Sequence, residues 1–116
     1  MTLDVLFVHS VEAYQEILQS NRPADALLSN YFRNRKYLGA HDRKFIAETV
    51  FGALRKHLWL SALSEKFLAE QGLPQKFHAA FILVFFFLNN ARLSRHRCLR
   101  LCKNVMPFRE RHWSAL

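Results

Sequence analysis

The segment Phe77-His-Ala-Ala-Phe-Ile-Leu-Val-Phe-Phe-Phe-Leu88 constrains this chain more than any other, because His78 is its only polar side chain. Crossing a bilayer takes roughly twenty apolar residues, and Gln75-Lys76 and Asn89-Asn90 close this run well short of that. A helix from Gln75 to about Ala91 that is apolar nearly all round belongs at the centre of a helical bundle. Phe85, Phe86 and Phe87 would point about 100° apart on it, so no single neighbour can cover all three.

The rest of the chain reads as helices able to surround that centre. Ser10 is placed to cap a first helix carrying Val11, Tyr14, Ile17 and Leu18, which stops at Ser20-Asn21. Pro23 suits the first position of a second helix, with Ala24, Leu27, Leu28, Tyr31 and Phe32 as its stripe. That helix runs into Arg33-Asn-Arg-Lys36 and breaks at Gly39. A third helix pairs Phe45/Ile46, Thr49/Val50, Ala53/Leu54 and His57/Leu58 on one face, with Asp42 in its first turn. Gly52 inside it costs about 1 kcal/mol relative to Ala, which a close neighbouring helix would offset. Leu60–Glu70 forms a fourth helix with Leu60, Leu63, Phe67 and Leu68 inward, ended by Gly72 and Pro74. Leu93, Cys98, Leu99, Leu101, Cys102 and Val105 mark a sixth, basic helix that Pro107 terminates.

With 3 Gly and 3 Pro in 116 residues there are too few turn formers for an all-β architecture. The expected fold is an all-α bundle of about six helices. Residues 1–91 form its core, and 92–116 form a basic C-terminal helix and tail. An apolar content of 51% excludes a disordered chain.

Charge is unevenly spread. The formal net charge is +8, and Asn89–Leu116 holds seven basic residues against Glu110 alone. Such a surplus attracts polyanions, RNA first among them, or it is simply a solvated face. Two cysteines cannot build a disulfide framework, and no secretory signal leads the chain, which together point to a reducing cytoplasm.

Three segments add a family likeness: Arg22-Pro-Ala-Asp-Ala-Leu-Leu28, Leu38-Gly-Ala-His-Asp-Arg-Lys-Phe-Ile-Ala-Glu48 and Val50-Phe-Gly-Ala-Leu-Arg55. Together they resemble the N-terminal domain of the Sun/Fmu family of bacterial ribosomal RNA cytosine-C5 methyltransferases. The likeness covers about Arg22–Leu63, and that domain is NusB-like, an all-helical RNA-binding module. The resemblance implies an auxiliary domain that helps to bind ribosomal RNA for a catalytic domain outside this chain. Asp42 and Arg43 would open the third helix, either as a cap and ion pair or, for Arg43, in contact with RNA. Arg55 would face phosphate or a carboxylate. The family's valine-asparagine-x-x-leucine-arginine close is missing from Arg92–Leu116, so the tail is expected to be truncated or divergent.

The family's chemistry has no counterpart here. Neither Cys98 nor Cys102 follows a proline, as the attacking thiolate does in the family. Gly39, Gly52 and Gly72 are too scattered to make a nucleotide-binding turn. S-adenosylmethionine would belong to the absent catalytic domain, so no cofactor and no catalytic residue is assigned to this chain. Cys98 and Cys102 share a helix face near His96, with His112 further on. Two small side chains on a buried face explain that pair more simply than the four converging ligands of a zinc site. His57 reads as a hydrogen-bonded core histidine.

The expected RNA contacts are therefore Arg33, Arg35, Lys36, Tyr37, Arg43, Arg55, Arg92, Arg95, Arg97, Arg100 and Lys103. Tyr37, and Phe108 beside Arg109 and Arg111, are placed to stack on unpaired bases. Two alternatives stay open: a free-standing NusB-like antitermination factor, and a helical dimerisation domain without RNA. In addition, if the tail leaves Phe85–Phe87 uncovered, the fifth helix would be buried by self-association.

Overall fold

A computed structural model describes residues 1–90, 92–106 and 108–116, with the Glu110 side chain left aside. Among these residues there are seven α-helices and no strand: α1 Leu3–Leu18, α2 Ala24–Arg33, α3 Ala40–Arg55, α4 His57–Gln71, α5 His78–Asn90, α6 Arg95–Val105 and α7 Glu110–Ser114. None of them is long and apolar enough to cross a membrane.

The apolar run takes the centre. After a single 3-10 turn at Gln75–Phe77, α5 buries Ala79 to Val84 without a break, together with Phe86 and Phe87. Helices α1, α3, α4 and α6 pack around it. Phe85 is half-buried, its ring edge-on to Phe67 at 5.8 Å. The uncovered surface expected at Phe85–Phe87 is therefore absent, and with it the reason for self-association. The expected helix end at Ala91 lies outside the described residues, as does the stop at Pro107.

Helix α1 starts earlier than its sequence suggests. Thr2 is the cap, its hydroxyl accepting from the Val5 amide at 3.4 Å, and Asp4 sits in the first turn. Ser10 is buried inside the helix, where its hydroxyl donates to the Leu6 carbonyl at 2.8 Å. A serine can bond back to the carbonyl four residues earlier as readily as it caps, so the residue type misled.

The third helix also ends earlier than the pairing of apolar residues implies. Lys56 leaves helical geometry at φ −118°, ψ 23°, and His57 and Leu58 belong to α4. His57 is half-buried and shares a 2.8 Å hydrogen bond with Tyr14 Oη, whereas Leu58 points to solvent. At the far end of α4, Gly72 adopts φ +63°. Its amide donates to the Ala69 carbonyl and that of Leu73 to the Leu68 carbonyl, closing the helix in a Schellman turn.

The tail joins the same core. Leu93, Cys98, Leu101, Cys102 and Met106 are buried with the residues of α1 to α5. Helix α7, which no sequence pattern announces, inserts Trp113 at 2% exposure. His112 Nδ1 donates to Gln71 Oε1 at 2.9 Å and fixes α7 to the end of α4. Phe108 is not free to stack on a base: it meets Phe77 edge-on at 4.6 Å and Trp113 at 5.6 Å.

Candidate nucleic-acid interface

Helix α2 ends at Arg33, and a turn then buries Leu38 and delivers Gly39 to the start of α3. The Gly39 amide donates to Asp42 Oδ2 at 3.2 Å, and Asp42 Oδ1 lies 3.9 Å from the Met1 amine. Asp42 is thus used to cap the helix and hold the N-terminus. Its neighbour Arg43 points away into a hollow of about 430 Å³, where Arg33 and Lys36 join it over Phe32 and Leu38. Among the described residues none of these three cations has an ion-pair partner within 4.0 Å.

Arg35 is used differently from its neighbours. Its guanidinium lies 3.6 Å over the Tyr31 ring, donates to the Tyr31 carbonyl at 3.3 Å and stands 3.9 Å from Glu12. Tyr31 Oη gives its one proton to Glu12 at 2.9 Å and accepts from His9 Nδ1 at 2.7 Å. Burial, then the Glu12 carboxylate, push the Tyr31 phenol well above its ordinary range. This network ties α1 to α2, and Arg35 serves it rather than the hollow. Tyr37 is 63% exposed, 5.7 Å from the His9 ring.

A larger groove of about 660 Å³ follows the outer side of α3 through Ala47, Phe51 and Arg55, with Gly52 and the Phe86 ring in its floor. Arg92 and Lys56 stand at its edges. Arg92 is partly neutralised, 3.2 Å from Glu48, and its guanidinium lies 5.4 Å from the Phe45 ring centre. Lys44 also reaches Glu48, at 3.9 Å. Arg55 and Lys56 have no ion-pair partner among the described residues. Arg43, Ala47, Phe51 and Arg55 recur every fourth residue, so one side of α3 links hollow to groove over about 18 Å.

The cations of α6 form a separate surface, because that helix packs on α1 and α5. Arg97 and Arg100 line a hollow of about 250 Å³ with Asp4 and Asn104, whose amide donates to Asp4 at 3.2 Å. Arg95 and Lys103 are exposed on the same helix.

Two further groupings carry the residue types of catalysis. Ser64 is buried and donates to the His78 carbonyl at 3.1 Å, so it accepts from His78 Nδ1–H at 2.8 Å. That leaves His78 Nε2 to accept from Ser61 at 3.1 Å. Burial lowers the His78 pKa below its ordinary value, which favours the neutral ring. The three side chains pin the start of α5 to α4. Cys98 and Cys102 are buried thiols; burial pushes Cys98 up to about 11 and Cys102 up to about 12, the opposite of an activated nucleophile. Among the described residues no three His, Cys, Asp or Glu side chains converge as metal ligands.

Residue pattern alone missed Lys56 and Trp59. Trp59 is half exposed at the turn from α3 to α4, next to two cations. The available signal was the run Arg55-Lys-His-Leu-Trp59, masked by the continuing apolar pairs. No family model, curated protein or solved structure matches this chain.

Proposed function

We propose that this chain is an RNA-binding helical domain, auxiliary to ribosomal RNA cytosine-C5 methylation and without catalysis of its own. The observation that carries the reading is the arrangement of Arg33, Lys36 and Arg43 at one end of α3 and Arg55 and Lys56 at the other, all without acidic partners among the described residues. Cations that spend nothing on internal pairing are free to replace the counterions of a phosphate backbone. The methyltransferase setting rests on the Leu38–Glu48 and Val50–Arg55 motifs together with the all-helical bundle.

Binding of a labelled ribosomal RNA fragment, followed by fluorescence anisotropy, tests it. Five neutralised phosphates on a single strand give a log–log salt slope of about −3.5, on the order of a hundredfold loss between 50 and 200 mM salt. Removing three cations in R33A/R43A/K36A should flatten that slope by about 2 and leave helicity intact, since all three are exposed. No binding at 50 mM salt, or an unchanged slope in the triple variant, refutes the assignment to this face. A slope lost instead in R95A/R97A/R100A moves the contact to α6.

A further inference from the structure

The corner between α3 and α4 exposes apolar surface that the fold does not use. Lys56 breaks the helix, and two and three residues later Leu58 and Trp59 stand outward at 87% and 50% exposure. The other tryptophan, Trp113, is fully packed. The His57–Tyr14 hydrogen bond anchors the first turn of α4 to α1, so the corner is held in place. Leu58 and Trp59 border a hollow of about 380 Å³ whose other walls include Arg55 and Lys56. The same two cations line the groove along α3, so groove and corner share one basic rim.

Resting on the RNA-binding reading, we propose that this face takes a single-stranded RNA, with Trp59 stacked on one unpaired base while Arg55 and Lys56 hold the flanking phosphates. Stacking needs a base whose face is free, and in an A-form duplex those faces are covered by neighbouring base pairs. An aromatic ring flanked by cations that track the backbone is the usual platform for single strands, and it tolerates any base. Other partners fit the corner less well. Two apolar side chains fall far short of the roughly 800 Å² per partner of a stable protein interface. A membrane-surface helix needs a long apolar face to sink into the interface, and at this corner only Leu58 and Trp59 supply one.

The test uses the full chain at 50 mM salt with oligouridine and with an RNA duplex of equal length. Anisotropy of the labelled RNA reads binding, and tryptophan emission reads the corner. Oligouridine should quench the emission and the duplex should not. Trp59→Phe should abolish the quench, since Trp113 is buried, while keeping affinity within a few fold because a phenyl ring still stacks. Trp59→Ala should weaken oligouridine binding roughly five- to a hundredfold. Its melting temperature and its duplex binding should stay unchanged. If oligouridine binds with no quench and Trp59→Ala binds equally well, the stacking assignment is overturned and the RNA-binding reading stands. If neither RNA changes the anisotropy, both fall. A blue shift of Trp59 on phosphatidylglycerol vesicles without any response to RNA overturns the proposal in favour of a membrane surface.

Discussion

Gly52 offers a sharp test of how this bundle is packed. A Cβ built on it would lie 2.7 Å from Phe86 Cε1 and closer still to Cζ, against the 3.5–4.0 Å of ordinary carbon contacts. What fills the missing side chain's place is thus a phenyl ring of α5 rather than a neighbouring backbone. Gly52→Ala removes the glycine penalty, a gain of about 1 kcal/mol. It also forces the buried ring to move by about 1 Å toward the groove, an overpacking cost of about 2 kcal/mol. The net expectation is a loss of about 1 kcal/mol, or roughly 4 °C in melting temperature for a chain of this size. Gly52→Leu should lose more. The decisive background is Phe86→Leu, which removes the ring tip: there Gly52→Ala should turn stabilising by up to about 1 kcal/mol. Thermal melts of the four proteins complete the double-mutant cycle. A melting temperature raised by Gly52→Ala to the same extent in both backgrounds would refute the close contact.

Two further outcomes follow from burial. The raised Cys98 and Cys102 pKa values, about 11 and 12, mean that the folded state holds these protons more tightly than the unfolded chain, whose thiols ionise near 9. Their contribution to stability is full below pH 9 and is lost as pH rises toward 11 and 12, so denaturant midpoints should fall across that window. In Cys98→Ala/Cys102→Ala the fall should shrink, and an unchanged fall would contradict the thiol assignment. Trp113→Ala should cost about 3–5 kcal/mol, as for a large side chain lost from a core, whereas a solvated tail would lose almost nothing.

The elements most legible in the sequence were those with an unambiguous period or none at all. Helix α5 could be placed at the centre because it has no polar side to turn outward, and the face of α3 followed from pairs every four residues. Of the boundaries that failed, the start of α1 did carry a marker in Thr2, and the others have none. Lys56 ends α3 with neither glycine nor proline nearby, so the apolar pairs at His57 and Leu58 looked like one more turn of the same stripe. Helix α7 is five residues long, too short to show a period, and its burial depends on Trp113 meeting Phe81 of the distant α5 as well as Phe108 just before it. Candidate cations were legible as residue types, but their partners were not. Glu48 finds Arg92 across 44 positions, and Phe108 turns inward although Arg109 is its neighbour.

Those hidden pairings show that the unpaired charge of this molecule is not confined to its tail. By sequence, the surplus lies after Asn89, and the tail is the obvious place for a polyanion. In the fold, acids are placed beside cations that have structural work: Glu12 beside Arg35, Glu48 beside Arg92 and Lys44, and Asp42 beside the N-terminal amine. Asp4 reaches across to α6, where it shares the hollow of Arg97 and Arg100 and draws down the field there. The hollow at the start of α3 and the hollow at its end are left with Arg33, Lys36 and Arg43 and with Arg55 and Lys56. Unpaired charges near concave, partly apolar walls hold a stronger field than the same charges spread over a solvated helix. On the RNA-binding reading proposed above, a strand would find these five cations along α3, where the sequence shows only a modest excess of base over acid. Arg95, Arg97 and Arg100 of α6, likewise without an ion pair among the described residues, offer it a second basic surface.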